Sequence, residues 1–267
     1  MFIPPNKKIF MTRLLITITV FFSLHLLVLT AAAQMPTSVP CSECYKLKIQ
    51  IEENYFSYDE ASIRRLLDQS RDLVDRHPTH WHPHYYAGLI NVQLGNIVRY
   101  YDKNMAYRHY TDALAHIQVA HERSPTNESS AVLADVYGKL ASLKTFKMLF
   151  FGSRSKSHLI DAFRMGENSP KACLVAGIEM MWTPTILGGG TKRARRFLEK
   201  ALKAASDWRE TDRLIVQWAT QAEILAHLAQ LEILCKNLSQ ARYYATQALS
   251  LVPDYGFVLR DILPQLN

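Results

Sequence analysis

The chain has 267 residues, 48% apolar and 21% charged, with a net charge of +7. That composition belongs to a folded globular chain and excludes collagen-like, low-complexity and wholly disordered classes. Ten glycines and 11 prolines are few for an all-β protein, which turns roughly every 8–12 residues, and four cysteines are too few for a disulfide-built scaffold.

Residues 1–33 read as a signal peptide. Lys7, Lys8 and Arg13 make a basic start, an apolar run extends from Leu14 to Leu29, and Ala31-Ala32-Ala33 supplies the small residues that precede cleavage. The run falls short of the about 20 residues that span a bilayer, so cleavage before Gln34 is expected over retention as an anchor. Losing those three basic residues takes the charge from +7 to +4, too mild a balance to imply nucleic-acid binding. The expected product is secreted or periplasmic, with no stable membrane insertion after cleavage.

Residues 34–56 read as an N-terminal tail carrying Cys41-Ser-Glu-Cys44. In an oxidising compartment this pair closes a small disulfide. A redox pair or half of a zinc site are the alternatives, but no thioredoxin-like strand–helix context and no second cysteine pair accompany it. Cys173 and Cys235 lie in apolar helical stretches and read as buried thiols.

From about residue 57 the pattern is helical to the end. Ile63, Leu66, Leu67, Leu73 and Val74 keep helix spacing until His77-Pro78. The next stretch holds His77, His80, His82 and His84, a metal-ligand type, yet with two prolines fixing the chain where one repeat should join the next it reads as a linker. No stretch alternates with period two, which predicts an all-α protein.

The helical region repeats itself. Ala241, Ala245, Ala248 and Pro253 lie at offsets 0, 4, 7 and 12, and Ala113, Ile117, Ala120 and Pro125 repeat those offsets. Ala194, Leu198 and Ala201 form a shorter copy, Ser155, Leu159 and Ala162 another, and Leu66, Ser70, Leu73 and Pro78 the weakest. The later copies each follow a helix with small residues at a comparable point: Ala87-Gly88, Ala134, Ala176-Gly177 and Ala229. Small residues on facing helices let two backbones pack closely, and the proline ends the second helix.

This pattern resembles the tetratricopeptide repeat family over about residues 57–255, with the full unit in QAEILAHLAQLEILCKNLSQARYYATQALSLVP. The helix pattern is also distantly similar to secreted bacterial repeat proteins such as the T-component of TRAP transporters. The resemblance implies an α-solenoid over 57–267: about four helical hairpins, a preceding single helix, and a C-terminal capping helix near 255–265. It also implies non-catalytic binding of a protein or peptide.

The spacing between paired small residues is 12 in the last copy but 25, 21 and 17 in the earlier ones, so the earlier hairpins carry extra residues at one topological place, the turn. Those stretches are rich in aromatic and aliphatic side chains. The first stretch holds Tyr100, Tyr101, Tyr107 and Tyr110, the second Phe146, Leu149, Phe150 and Phe151, the third Trp182, Pro184, Ile186 and Leu187. Lengthened turns standing side by side would make either a local core or a binding surface for a protein, a peptide or an apolar small molecule. No nucleophile or zinc-hydrolase motif is present, so no catalytic residue, metal or cofactor is assigned.

Overall fold

The computed structural model describes residues 42–266. Ten α-helices are present among the described residues: α1 (Ser42–Asn54), α2 (Glu60–Arg76), α3 (Trp81–Val98), α4 (Lys103–Arg123), α5 (Asn127–Leu143), α6 (Met148–Met165), α7 (Pro170–Trp182), α8 (Thr191–Asp207), α9 (Gln221–Leu234) and α10 (Leu238–Leu251). They pair as five antiparallel hairpins, α1/α2 to α9/α10. The odd-numbered helices pack one after another as an inner layer, and the even-numbered ones form the outer layer. This is an all-α, tetratricopeptide-like solenoid. The stretch expected to be a tail is helical over Ser42–Asn54, so the helix expected to stand alone, α2, has a partner. Cys44 is buried and disulfide-bonded. Cys41 and the expected signal segment lie outside the described residues.

The small-residue offsets do the packing the sequence suggested. Ala113, Ile117 and Ala120 on α4, Ala194, Leu198 and Ala201 on α8, and Ala241, Ala245 and Ala248 on α10 are fully buried against the preceding helix. A Cβ on Gly88 would overlap Ile117, and one on Gly177 would overlap Leu198, so the second and fourth hairpins close only over a glycine. The outer helices are amphipathic, whereas α3, α5, α7 and α9 are apolar nearly all round, the mark of helices covered on every side. Ser70 and Ser155, the polar members of two copies, are buried because their hydroxyls donate to the Leu67 and Ala134 carbonyls, at 2.7 and 2.5 Å.

The inner face of an open solenoid is a groove; here the chain fills it. Residues 208–220, without regular structure, run as a strap across the inner helices. The Tyr86 hydroxyl donates to the Leu214 carbonyl (2.7 Å), Lys171 to the Val216 carbonyl (3.0 Å) and the Trp218 indole to the Glu128 carboxylate (2.7 Å). The Gln217 amide donates to Glu52 (2.7 Å). Ile215, Val216 and Trp218 are buried beneath. Lys171 lies 2.5 Å from Glu128 and 2.9 Å from Glu210, with the Lys171 and Glu128 side chains at most 3% exposed. Tyr85 also bonds Glu128.

Beyond α10 the chain turns back on the first hairpin. The Gly256 amide donates to the Phe56 carbonyl (2.7 Å), Phe56 and Tyr255 meet edge to face at 4.8 Å, and a Cβ on Gly256 would overlap Tyr58. The expected capping helix is a short π-helical turn, Val258–Ile262, followed by a 3₁₀ turn, Leu263–Gln265. Two other readings change. His82 and His84 lie in α3, which begins at Trp81 with Pro83 in its first turn, and buried His82 pairs with Asp212 of the strap at 2.7 Å. Cys173 is buried as expected, but Cys235 is exposed just past α9.

Lys171→Ala leaves two carboxylates without their counter-charge in the interior and is expected to cost about 3–5 kcal/mol. Urea unfolding of the parent and the variant checks this, and a loss under about 1 kcal/mol, the level of an exposed pair, would show that the cluster does not hold the strap.

Candidate functional site

With the inner groove filled, the turn edge of the solenoid is where exposed apolar surface gathers. Of 17 large apolar residues exposed among the described residues, 11 sit at the turns within hairpins: Tyr100 and Tyr101, Phe146 to Phe150, Trp182, Ile186 and Leu187, and Leu234 and Leu238. The extra residues are not built alike in each hairpin. In the second hairpin they lengthen both helices, and Asp102 caps α4 by accepting from the amides of Asn104 (2.8 Å) and Met105 (2.9 Å). Its tyrosines diverge. Tyr101 donates to Glu60 of the first hairpin at 2.6 Å, Tyr100 bonds Asp261 of the C-terminal turn, and the Tyr107 ring lies under the Lys144 ammonium at 4.7 Å.

The third and fourth hairpins place their additions in protruding turns. A 3₁₀ turn over Thr145–Lys147 leads into α6; Phe146 is 83% exposed and Leu149 78%, with Phe150 also exposed. Phe151 is buried instead, 6.3 Å from the Tyr137 ring. After α7, Trp182 and Pro184 are exposed, and a second 3₁₀ turn lifts Ile186 to 93% exposure beside exposed Leu187. Gly188 and Gly190 have φ of +91° and +109°, a region that favours glycine, and the Gly190 amide donates to the Met180 carbonyl at 2.7 Å. The glycine run is therefore a tight return that holds Ile186 and Leu187 outward.

Where the second and third hairpins meet the C-terminal turn, a solvent-open cleft of about 280 Å³ remains. Arg99, Lys103 and Lys139 line it with positive charge, Tyr100 and Tyr110 wall it, Ser142 and Leu143 complete it, and Asp261 is its one carboxylate. Arg99 lies 3.6 Å from Asp261, and Lys139 is paired with Asp135 at 3.2 Å. Lys103 makes no ion pair among the described residues. Burial pushes the Tyr100 hydroxyl up to about 12 and also raises Asp261. Of these residues the sequence pointed to Tyr100 and Tyr110. Lys103 and Lys139 lie on separate helices and carry no spacing signal.

Deeper in, polar groups on the inner helices face one another. Burial and then the Asp135 charge raise the Glu179 carboxyl to about 8, and the same two causes raise Glu223 well above the carboxylate range. Burial lowers His227 to about 3. Among the described residues no three His, Cys, Asp or Glu side chains are placed to share a metal ion, and no helix is long and apolar enough to cross a membrane.

No protein-family model and no curated protein matches the chain. Among solved structures, TTC0263, a thermophilic TPR protein of Thermus thermophilus, is similar with a TM-score of 0.59 and 18% identity, over 84% of this chain and 97% of that one. The HusA haemophore from Porphyromonas gingivalis is similar with a TM-score of 0.55 and 15% identity, over 76% of this chain and 96% of that one. At these identities the likeness concerns the fold.

Glu179 gives a pH test. With its folded value about 8, above the unfolded one, it keeps a proton near neutrality that the unfolded chain releases. Its contribution is therefore full below the ordinary carboxylate pKa and is lost as pH rises toward 8. Glu179→Gln is expected to raise the melting temperature above pH 8, by about 2–4 °C for each kcal/mol regained, and to give no such gain near pH 4. Calorimetry across that range checks the sign.

Proposed function

We propose that the protein is an exported, non-catalytic scaffold that binds a protein or peptide partner at the cleft between its second and third hairpins. The single observation that carries this is a contrast. The inner groove is occupied by the chain's own strap and C-terminal turn, while the cleft beside Lys103 stays open and cationic. Arg99 is paired with Asp261 and Lys139 with Asp135, which leaves the Lys103 ammonium without a counter-charge among the described residues, so an acidic segment or a chain-end carboxylate complements it. Tyr100 offers ring surface for the side chain beside that charge, with buried Tyr110 behind it. The open mouth and the charge favour a peptide over a wholly apolar small molecule. Export rests on the signal-like start of the sequence.

Selection from a random displayed-peptide library is the direct test. Enriched peptides are expected to carry Asp, Glu or a free C-terminal carboxylate. Their affinity, read by fluorescence anisotropy, should fall about tenfold or more with Lys103→Glu, a change of about 1.4 kcal/mol or more, and be unaffected by Lys46→Glu on the exposed face of α1. Equal binding by the parent and Lys103→Glu would contradict the assignment.

A further inference from the structure

The two protruding turns share a second property, their charge. Residues 144–156 hold Lys144, Lys147, Arg154 and Lys156, and residues 182–196 hold Lys192, Arg193, Arg195 and Arg196; neither stretch has an Asp or Glu. Arg195 alone of these eight is in an ion pair among the described residues, with Glu232. The Lys147 ammonium lies 5.7 Å from the centre of the Phe146 ring, and the Arg154 guanidinium 5.6 Å from that of Phe150. Inner helices α5 and α7 pack directly, so the turns that follow them lie on the same edge of the stack.

We infer that this edge is a peripheral membrane-docking surface, with Phe146, Leu149, Phe150, Trp182, Ile186 and Leu187 entering the headgroup and acyl boundary of an anionic bilayer and the surrounding Lys and Arg meeting its lipid phosphates. Apolar tips this exposed, on two neighbouring turns, are unfavourable in water unless something covers them. A protein partner would cover them equally well, but two stretches without Asp or Glu, with Lys147 and Arg154 against the exposed Phe146 and Phe150 rings, complement a surface that is both greasy and negative. Trp182 at the edge of the patch suits the interface, where an indole ring is well placed. The 3₁₀ turn and the glycine return project Ile186 and Leu187 beyond the helix ends, so the tips reach a flat surface without rearrangement of the stack. The contact is with one leaflet and needs no spanning segment. It is separate from the peptide cleft and does not depend on it.

The test uses the full chain with vesicles of phosphatidylcholine, with and without about one-third phosphatidylglycerol. Co-sedimentation is expected to be at least tenfold stronger on the anionic vesicles and to weaken as salt rises. The triple variant Phe146→Ser, Phe150→Ser, Ile186→Ser and the charge variant Lys147→Glu, Arg154→Glu should each lose most of that binding while circular dichroism stays unchanged. Brominated acyl chains should quench tryptophan emission in the parent, and Trp182→Phe should remove most of that quenching. Failure to sediment with anionic vesicles overturns the proposal. So does quenching that survives Trp182→Phe, or a peptide that binds the parent but not the triple variant while vesicles remain unbound. That last result would make the edge a protein interface and leave the cleft at Lys103 untouched.

Discussion

The structure depends on one buried ionic contact: Lys171 held between Glu128 and Glu210, with the Trp218 indole on the same carboxylate. Burying charge carries a large desolvation cost, and it is offset only where the pairing is complete. Here three inner helices and the strap each supply part of the cluster: Tyr85 from α3, Glu128 from α5, Lys171 from α7, and Glu210 and Trp218 from residues 208–220. Moving the strap would strand the other members. The contact therefore ties a segment without regular structure to successive repeats.

Filling the inner face changes what the fold can do. A solenoid presents two kinds of surface, the groove along its inner helices and the edge formed by its turns. In this chain Tyr55, Tyr58, Tyr255 and Phe257 are buried between the first hairpin and the C-terminal turn, and the strap covers the inner helices. The exposed surface that remains distinctive is the turn edge, with a cationic cleft on the second hairpin and apolar tips on the third and fourth. One edge thus holds two chemically different surfaces.

The repeats were legible because they obey a simple steric rule. Where two helices meet closely, one must be small, and Ala113, Ala194 and Ala241 mark the places. The apolar turns were legible as composition, but not their form. Whether extra residues lengthen a helix or make a projecting turn depends on local capping, as at Asp102, and on the positive φ at Gly188 and Gly190. Phe151 illustrates the difference, since one register step in α6 buries it while Phe150 stays outside. The strap was not legible. Its contacts reach from Glu52 to Gln217, a separation with no periodic signature, and nothing in their sequence spacing pairs Glu128 with Lys171. For the same reason the cleft was visible only as Tyr100 and Tyr110.

Amide hydrogen exchange on the full chain tests the central claim most directly. If the strap is an integral filling of the inner face, the amide of Gln217, which donates to Glu52, and the buried amides of Ile215 and Val216 should exchange as slowly as those in the middle of α3 and α5. Fast exchange over residues 214–219 while α3 and α5 stay protected would contradict it and return the inner groove to the set of open binding surfaces.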